Sequence, residues 1–276
     1  MLRWAVAGSV DDGKSTLIGR LMLDQNLLFQ DQLQAIAAQS VTGQVDLAWI
    51  TDGLRAERQQ GITIDVAYRF FTLNGRKFIL IDTPGHEQFT KNMFTGVSQA
   101  QVVVILVDAQ RGITQQTKRH ALLCSLLQVP EIILVVNKMD CVGFAQNRFE
   151  EIRQQFLSFC RDLHPTILVS IPCSALEGDN VVHTSSKMAW YSGPSLLQHL
   201  ASIEPSHNQS GTDFRLVVQG IIKFEGFRGY TGSVLSGKIR PQQPVQVWPS
   251  GRAARIERII TMDQELGSDH TGQAVV

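Results

Sequence analysis

Residues Gly8-Ser9-Val10-Asp11-Asp12-Gly13-Lys14-Ser15 read GSVDDGKS and fit the pattern G-x-x-x-x-G-K-[ST]. An apolar run, LRWAVA (2–7), precedes them, and a helical pattern begins at Lys14. Strand, glycine loop and helix in this order give the pattern a mechanism. Glycines let the backbone wrap closely, so successive N–H groups and the helix N-terminus face phosphate oxygens. Lys14 is placed to neutralise the β- and γ-phosphates, and the Ser15 hydroxyl to take one position on Mg²⁺; Thr16 ends the phosphate-holding stretch. This segment alone does not separate ATP from GTP.

Working outward, short apolar runs alternate with helical patterns over the first two hundred or so residues, the signature of βα units and a mainly parallel sheet. Strands are expected at 2–7, 67–73, 77–81, 102–108, 132–137 and 167–171, and helices at 14–23, 32–39, 89–98, 115–127, 147–163 and 195–203. Asn74-Gly75 marks a tight hairpin, so one sheet edge is expected to be antiparallel. After a polar, Pro- and Gly-containing linker, EPSHNQSGT at 204–212, the pattern changes. FRLVVQG, GSVLSGKI, PVQVWP and ARIERIITM are short strands between Gly/Pro turns. The expected fold is α/β: a P-loop GTPase domain at 1–203, then a small, incomplete β-barrel at 213–276. A length of 276 residues suits two such domains.

The base is read further along. Asn137-Lys138-Met139-Asp140 follows the apolar run IILVV, at the C-terminal end of a strand, where open α/β sheets bind ligands. The Asp140 carboxylate accepts two hydrogen bonds from guanine N1–H and its exocyclic amine, a donor pair adenine lacks. Asn137 bridges base and phosphate loop, and the Lys138 stem covers the ring. Ser174-Ala175-Leu176, after the next strand, offers a backbone N–H to guanine O6. The expected nucleotide is GTP.

Two further segments read the γ-phosphate and the metal. In ERQQGITID, Thr63 is a candidate second Mg²⁺ ligand, released once the γ-phosphate is gone. In Asp82-Thr83-Pro84-Gly85, Asp82 ends a strand and can hold Mg²⁺ through water, and the Gly85 N–H can turn toward the γ-phosphate. His86 stands where many small GTPases carry a Gln that orients the attacking water. An imidazole there can position that water or hold it by charge.

Composition narrows the field. With 43% apolar and 18% charged residues the chain can bury a core, and its formal net charge of zero argues against a dedicated nucleic-acid binder. No run of 18 apolar residues or leader pattern points to a membrane. The four cysteines (Cys124, Cys141, Cys160, Cys173) show no C-x-x-C spacing and read as reduced, packed thiols, hence a cytoplasmic chain.

GSVDDGKST, DGLRAERQQGITIDVAYRFF, DTPGHEQFTKNM, NKMD and SALEGDNV together resemble the GTP-binding large subunit of bacterial sulfate adenylyltransferase, an offshoot of the translation elongation factors. WYSGPSLL and FRGYTGSVLSG are similar to it as well. The resemblance implies GTP hydrolysis by this chain, and a separate small subunit that transfers the adenylyl group of ATP to sulfate. It also implies an apolar gate of Val10 and Ile62 beside His86. Against that family, the chain is expected to be C-terminally truncated, ending at GQAVV in a late barrel strand and starting without the usual leader. The rival is an elongation-factor-like GTPase delivering aminoacyl-tRNA, whose relatives usually carry G-H-V-D-x-G-K where this chain has Ser9.

Overall fold

A computed structural model describes residues 1–28, 47, 63–73, 75–163, 167–204, 213–224, 226–261, 264–267, 269–270 and 274–276. β1 (Leu2–Gly8) lies in the interior of a six-stranded sheet. With β2 (Ala67–Leu73), β3 (Arg76–Asp82), β4 (Val102–Asp108), β5 (Glu131–Asn137) and β6 (Ile167–Pro172), the order is β2-β3-β1-β4-β5-β6. Every pairing is parallel except β2 with β3, where Leu73 faces Arg76 across a turn containing Gly75. Strands β4 and β5 are buried at every position, so they read as unbroken apolar runs. β2, at the edge, alternates in burial along its length.

Helices α1 (Lys14–Asp24), α2 (Thr90–Val97), α3 (Gln115–Leu126), α4 (Gln146–Cys160) and α5 (Leu196–Ser202) cover both faces. Because successive strand residues point to opposite faces, Trp4 and Val6 of β1 join Leu17, Leu21 and Leu200 in one core. Ala5 and Ala7 join Met93, Ala121, Ile152 and Phe156 in the other. The parallel register sets the site: Val6 pairs with Asp82, Gly8 with Leu106, and Asp108 with Asn137. The ends of β1, β3, β4 and β5 therefore emerge along one side of the sheet.

Element limits differ from expectation at several ends. Residues 161–163 form a separate 3-10 turn rather than the end of α4. Phe89 belongs to a 3-10 turn, Glu87–Phe89, before α2. Ser195 is the cap of α5 and not its first residue: its hydroxyl accepts from the Gln198 N–H, and the Gln198 side chain accepts from the Ser195 N–H. The expected helix at 32–39, Asn74 of the hairpin, Ile62 of the gate and 205–212 of the linker lie outside the described residues.

The chain divides into two compact units, Met1–Pro205 and Ser206–Val276. In the second, β7 (Arg215–Phe224) and β8 (Phe227–Ser236) form a long antiparallel pair, joined on the other edge of β8 by β15 (Ala274–Val275). Shorter antiparallel pairs follow: β9 (Lys238–Ile239) with β14 (Asp269–His270), β10 (Pro244–Val247) with β11 (Arg252–Arg255), and β12 (Ile260–Thr261) with β13 (Gln264–Glu265). GSVLSGKI, which reads as one strand, is broken at Gly237, whose φ of 72° ends β8 before β9. ARIERIITM is likewise split between β11 and β12.

Cys124, Cys160 and Cys173 are buried free thiols; Cys141 is exposed, against the expectation that all four are packed. It follows Asp140 in a 3-10 turn, Met139–Val142, whose Met139 packs inward while Cys141 points out. Among the described residues, no helix is long and apolar enough to cross a membrane.

Candidate functional site

The phosphate loop leaves β1 at Gly8 and enters α1 at Lys14. Inside it the Ser9 N–H donates to Asp12 Oδ2 at 2.6 Å, and the Asp12 N–H donates to the Ser9 carbonyl at 3.3 Å. Asp11 stands at φ 68° and Gly13 at φ 92°. Gly13 admits no side chain: a Cβ there would sit 2.4 Å from Asn137 Nδ2. Lys14 is 7% exposed, and its ammonium donates to the Gly8 and Ser9 carbonyls at 3.0 and 2.8 Å. Burial pushes the Lys14 pKa down, against the opposing pull of Asp12, Asp82 and Asp11. Burial also pushes the Asp12 carboxyl up, outweighing its bond from Ser9 and the charge of Lys14. Ser15 and Thr16 are half-buried at the start of α1.

Asp82, Thr83, Pro84 and Gly85 are all buried at the end of β3. The Thr83 hydroxyl donates to the Val6 carbonyl at 2.7 Å and so ties this segment to the neighbouring strand. Gly85 passes so close to the phosphate loop that a Cβ would lie 2.2 Å from Lys14 Nζ and 2.6 Å from the Gly8 carbonyl. His86 is half-buried, and its Nδ1 accepts from the Gln88 N–H at 3.4 Å, capping the 3-10 turn before α2. Thr63 is half-buried ahead of β2, and its neighbour Ile64 accepts from Asn92 Nδ2 of α2 at 2.9 Å.

At the end of β5, Asn137 is 2% exposed and joins two loops. Its Nδ2 donates to the Asp12 carbonyl at 2.8 Å, and its Oδ1 accepts from the Ala175 N–H at 2.9 Å. The Ala175 N–H is therefore engaged by Asn137. Ser174 is buried, its hydroxyl accepts from the Glu177 N–H at 3.2 Å, and Leu176 is exposed. Lys138, at φ 60°, sends its ammonium to Asp108 Oδ2 at 2.8 Å. Burial would raise the Asp108 pKa, but the Lys138 ammonium and the Gln110 and Arg111 N–H groups outweigh it and hold the carboxyl below its usual range. Met139 is buried beneath the turn. Asp140 Oδ2 accepts from the Cys141 thiol at 3.3 Å, while its Oδ1 is buried with no hydrogen-bond partner among the described residues. Such an atom fits a ligand that brings N–H donors.

The structure thus brings together the phosphate loop, the Asp82–His86 segment and the Asn137, Asp140 and Ala175 cluster at one end of the sheet. It adds residues the sequence did not single out. Arg111 Nη1 donates to the Val10 carbonyl at 2.9 Å, and the Thr114 hydroxyl lies 2.9 Å from Ser9 Oγ. Both come from the connection between β4 and α3. A T-x-x-T start to α3 is visible in the sequence, but its reach to a loop about a hundred positions earlier is not.

A strand, a glycine loop closed on a buried lysine and an asparagine that joins this loop to the turn after β6 define a P-loop nucleotide-binding domain. Residues 1–206 match the family described as "Elongation factor Tu GTP binding domain", and the chain belongs to that GTP-binding family. Along its whole length it is 48% identical to sulfate adenylyltransferase subunit 1 of Teredinibacter turnerae and 51% identical to that of Laribacter hongkongensis. It spans only 60% and 58% of those two relatives. Among solved structures, the Ski7 GTPase-like domain of S. cerevisiae, bound to GDP and inorganic phosphate, superposes with a TM-score of 0.63 at 18% identity, over 99% of this chain and 69% of that one. A bacterial selenocysteine-specific elongation factor, EF-Sec, gives 0.58 at 23% identity, over 99% of this chain and 41% of that one. These two likenesses are of fold.

Proposed function

We propose that this chain is the GTP-hydrolysing portion of subunit 1 of a sulfate adenylyltransferase, working in the cytoplasm beside a small adenylyl-transferring subunit. Residues 1–203 are its GTPase domain, 204–212 a linker and 213–276 part of a β-barrel. The small subunit exchanges the pyrophosphate of ATP for sulfate, giving adenylyl sulfate and pyrophosphate. The phosphosulfate anhydride lies uphill, and hydrolysis of GTP to GDP and phosphate supplies the missing drive. The names of the relatives, at 48% and 51% identity, support the enzyme. The site itself rests on one observation: Asn137 holds the phosphate loop and the Ala175 turn together beside the unsatisfied Oδ1 of Asp140.

In this reading Lys14 and the loop N–H groups take the phosphates, Asp140 takes the guanine donor pair, and the 174–176 turn lies against O6. Ser15, Thr63 and Asp82 would hold Mg²⁺; hydroxyl and carboxylate oxygens suit that hard cation, and Asp82 is 1% exposed beside the phosphate loop. The metal supplies charge neutralisation on the phosphates. His86 orients the attacking water or holds it by charge, once the imidazole leaves its capping bond to Gln88. Without the partner, turnover is slow.

The test measures GTP hydrolysis and adenylyl sulfate formation together, with and without the small subunit, ATP and sulfate. Hydrolysis should rise only when all three are present, and His86→Ala should bind GTP normally but lose that rise. Coupling at the parental ratio in His86→Ala would remove the histidine from the mechanism. Hydrolysis indifferent to the small subunit would remove the sulfate-activating role.

A further inference from the structure

Ser9 is held by four contacts: two with Asp12, one from the Lys14 ammonium to its carbonyl and one with Thr114. Val10, the next residue, is gripped differently, by the guanidinium of Arg111 alone among the described side chains. Arg111 itself sits in a stiff connection. The preceding Gln110 N–H donates to Asp108 Oδ1 at 2.8 Å, and Gly112 turns back at φ 72° to donate its N–H to the Asp108 carbonyl at 2.8 Å. From α4, Arg148 donates to the Ala109 and Gln110 carbonyls at 2.7 and 3.2 Å, and Glu151 pins Arg148 at 2.7 Å. The Arg111 side chain therefore starts from a fixed base.

The consequence follows from peptide geometry. In a planar trans peptide the C=O and the following N–H point in opposite directions. Holding the Val10 carbonyl outward, on Arg111, turns the Asp11 N–H inward, across the loop that closes on Lys14. Asp11 is also in the left-handed region at φ 68°, which an aspartate tolerates better than most non-glycine residues. Resting on the guanine-nucleotide reading above, we propose that Arg111 is a positioning residue for phosphate transfer: through the Val10 carbonyl it aims the Asp11 N–H at the bound phosphates. Charge on the leaving phosphate oxygens grows as the bond breaks, so an aimed N–H matters more to the transition state than to the ground state.

Arg111→Ala and Arg111→Lys separate this role from general stability. In Arg111→Ala, kcat for GTP should fall about tenfold, while GTP and GDP affinities change less than about threefold. Arg111→Lys keeps a charged donor on a similar stem and should recover at least half of kcat. A second readout needs no turnover: ¹⁵N-labelled protein with GDP bound should show the Asp11 amide resonance broadened or doubled in Arg111→Ala and single in the parent, with the Gly13 amide unchanged. Parental kcat together with a single unshifted Asp11 resonance in Arg111→Ala overturns the proposal, as does an equal loss of affinity and kcat that lysine does not rescue. Should the parent bind ATP as tightly as GTP, the guanine reading fails instead, and the Asp11 resonance still tests whether Arg111 aims that peptide.

Discussion

In the proposed reading, Asp140 carries the choice of base. Its buried Oδ1 awaits an N–H donor, and adenine presents an acceptor where guanine presents N1–H. Asp140→Asn should weaken GTP by about a hundredfold or more and favour xanthosine triphosphate, as titration calorimetry will register. Equal GTP affinity in the variant would show that this carboxylate does not read the base. His120 leads to a prediction of another kind. It is fully buried in α3; burial first, and then the charges of Lys14 and Arg119, lower its pKa from 6.5 to about 3. Its Nε2 lies 3.0 Å from the Gln116 side-chain amide nitrogen, a donor that a neutral ring accepts and a protonated ring opposes. Between pH 6.5 and about 3 the unfolded chain binds a proton at this ring that the folded chain refuses. Stability attributable to His120 is thus intact above pH 6.5 and declines as pH falls, by about 1.4 kcal/mol per unit at most. Urea unfolding of His120→Gln from pH 7 to pH 4.5 should give a visibly flatter profile than the parent; parallel profiles would clear His120 of the effect.

At the scale of elements, the capping of α5 offers a clean perturbation. Ser195 Oγ accepts from the Gln198 N–H at 3.3 Å and donates to the Val182 carbonyl at 2.7 Å. Ser195→Ala should cost about 1–2 kcal/mol in chemical denaturation, with GTP affinity unaltered, since the residue lies outside the nucleotide site. A cost near zero would mean that water replaces both bonds. The elements were largely legible in the sequence for the same local reasons. Runs such as VVVILVD and EIILVVN are apolar because the strands are covered on both faces, and the glycine pattern before Lys14 can serve only a tight phosphate loop. Side-chain pairs between distant loops were less legible. Nothing near Arg111 announces Val10, and nothing near Thr114 announces Ser9, because only the parallel register of β1 and β4 brings those loops side by side. Strand breaks in the second unit were missed because Gly237 reads equally as a strand residue and as a turn.

For the whole molecule, every residue assigned to the nucleotide falls within Met1–Pro205. The first unit made alone should bind GTP within about twofold of the full chain; a loss beyond about tenfold, about 1.4 kcal/mol, would mean that Ser206–Val276 contributes to binding. The second unit has a different character. Its buried apolar cluster centres on Val234, Ile239, Ile259 and Val275, while Val218, Ile221, Phe224 and Trp248 are exposed, Trp248 by 75%. With few apolar side chains buried among its described residues, this unit is expected to melt before the first unit in calorimetry.

The double grip of Asn137 also sets a timetable for biosynthesis. Its two partners, Asp12 and Ala175, stand far apart in the chain, one near the start and one beyond β6. A ribosome adding about 5–20 residues per second leaves the finished phosphate loop waiting on the order of ten seconds for the turn that completes the base pocket. During that interval Asp12 and, once it is made, Asn137 wait for the Ala175 N–H that completes the pair of bonds. If the proposed base site is right, GTP gains its full grip only after Ala175 has left the exit tunnel, and the nucleotide would act as a late clasp on a fold already laid down.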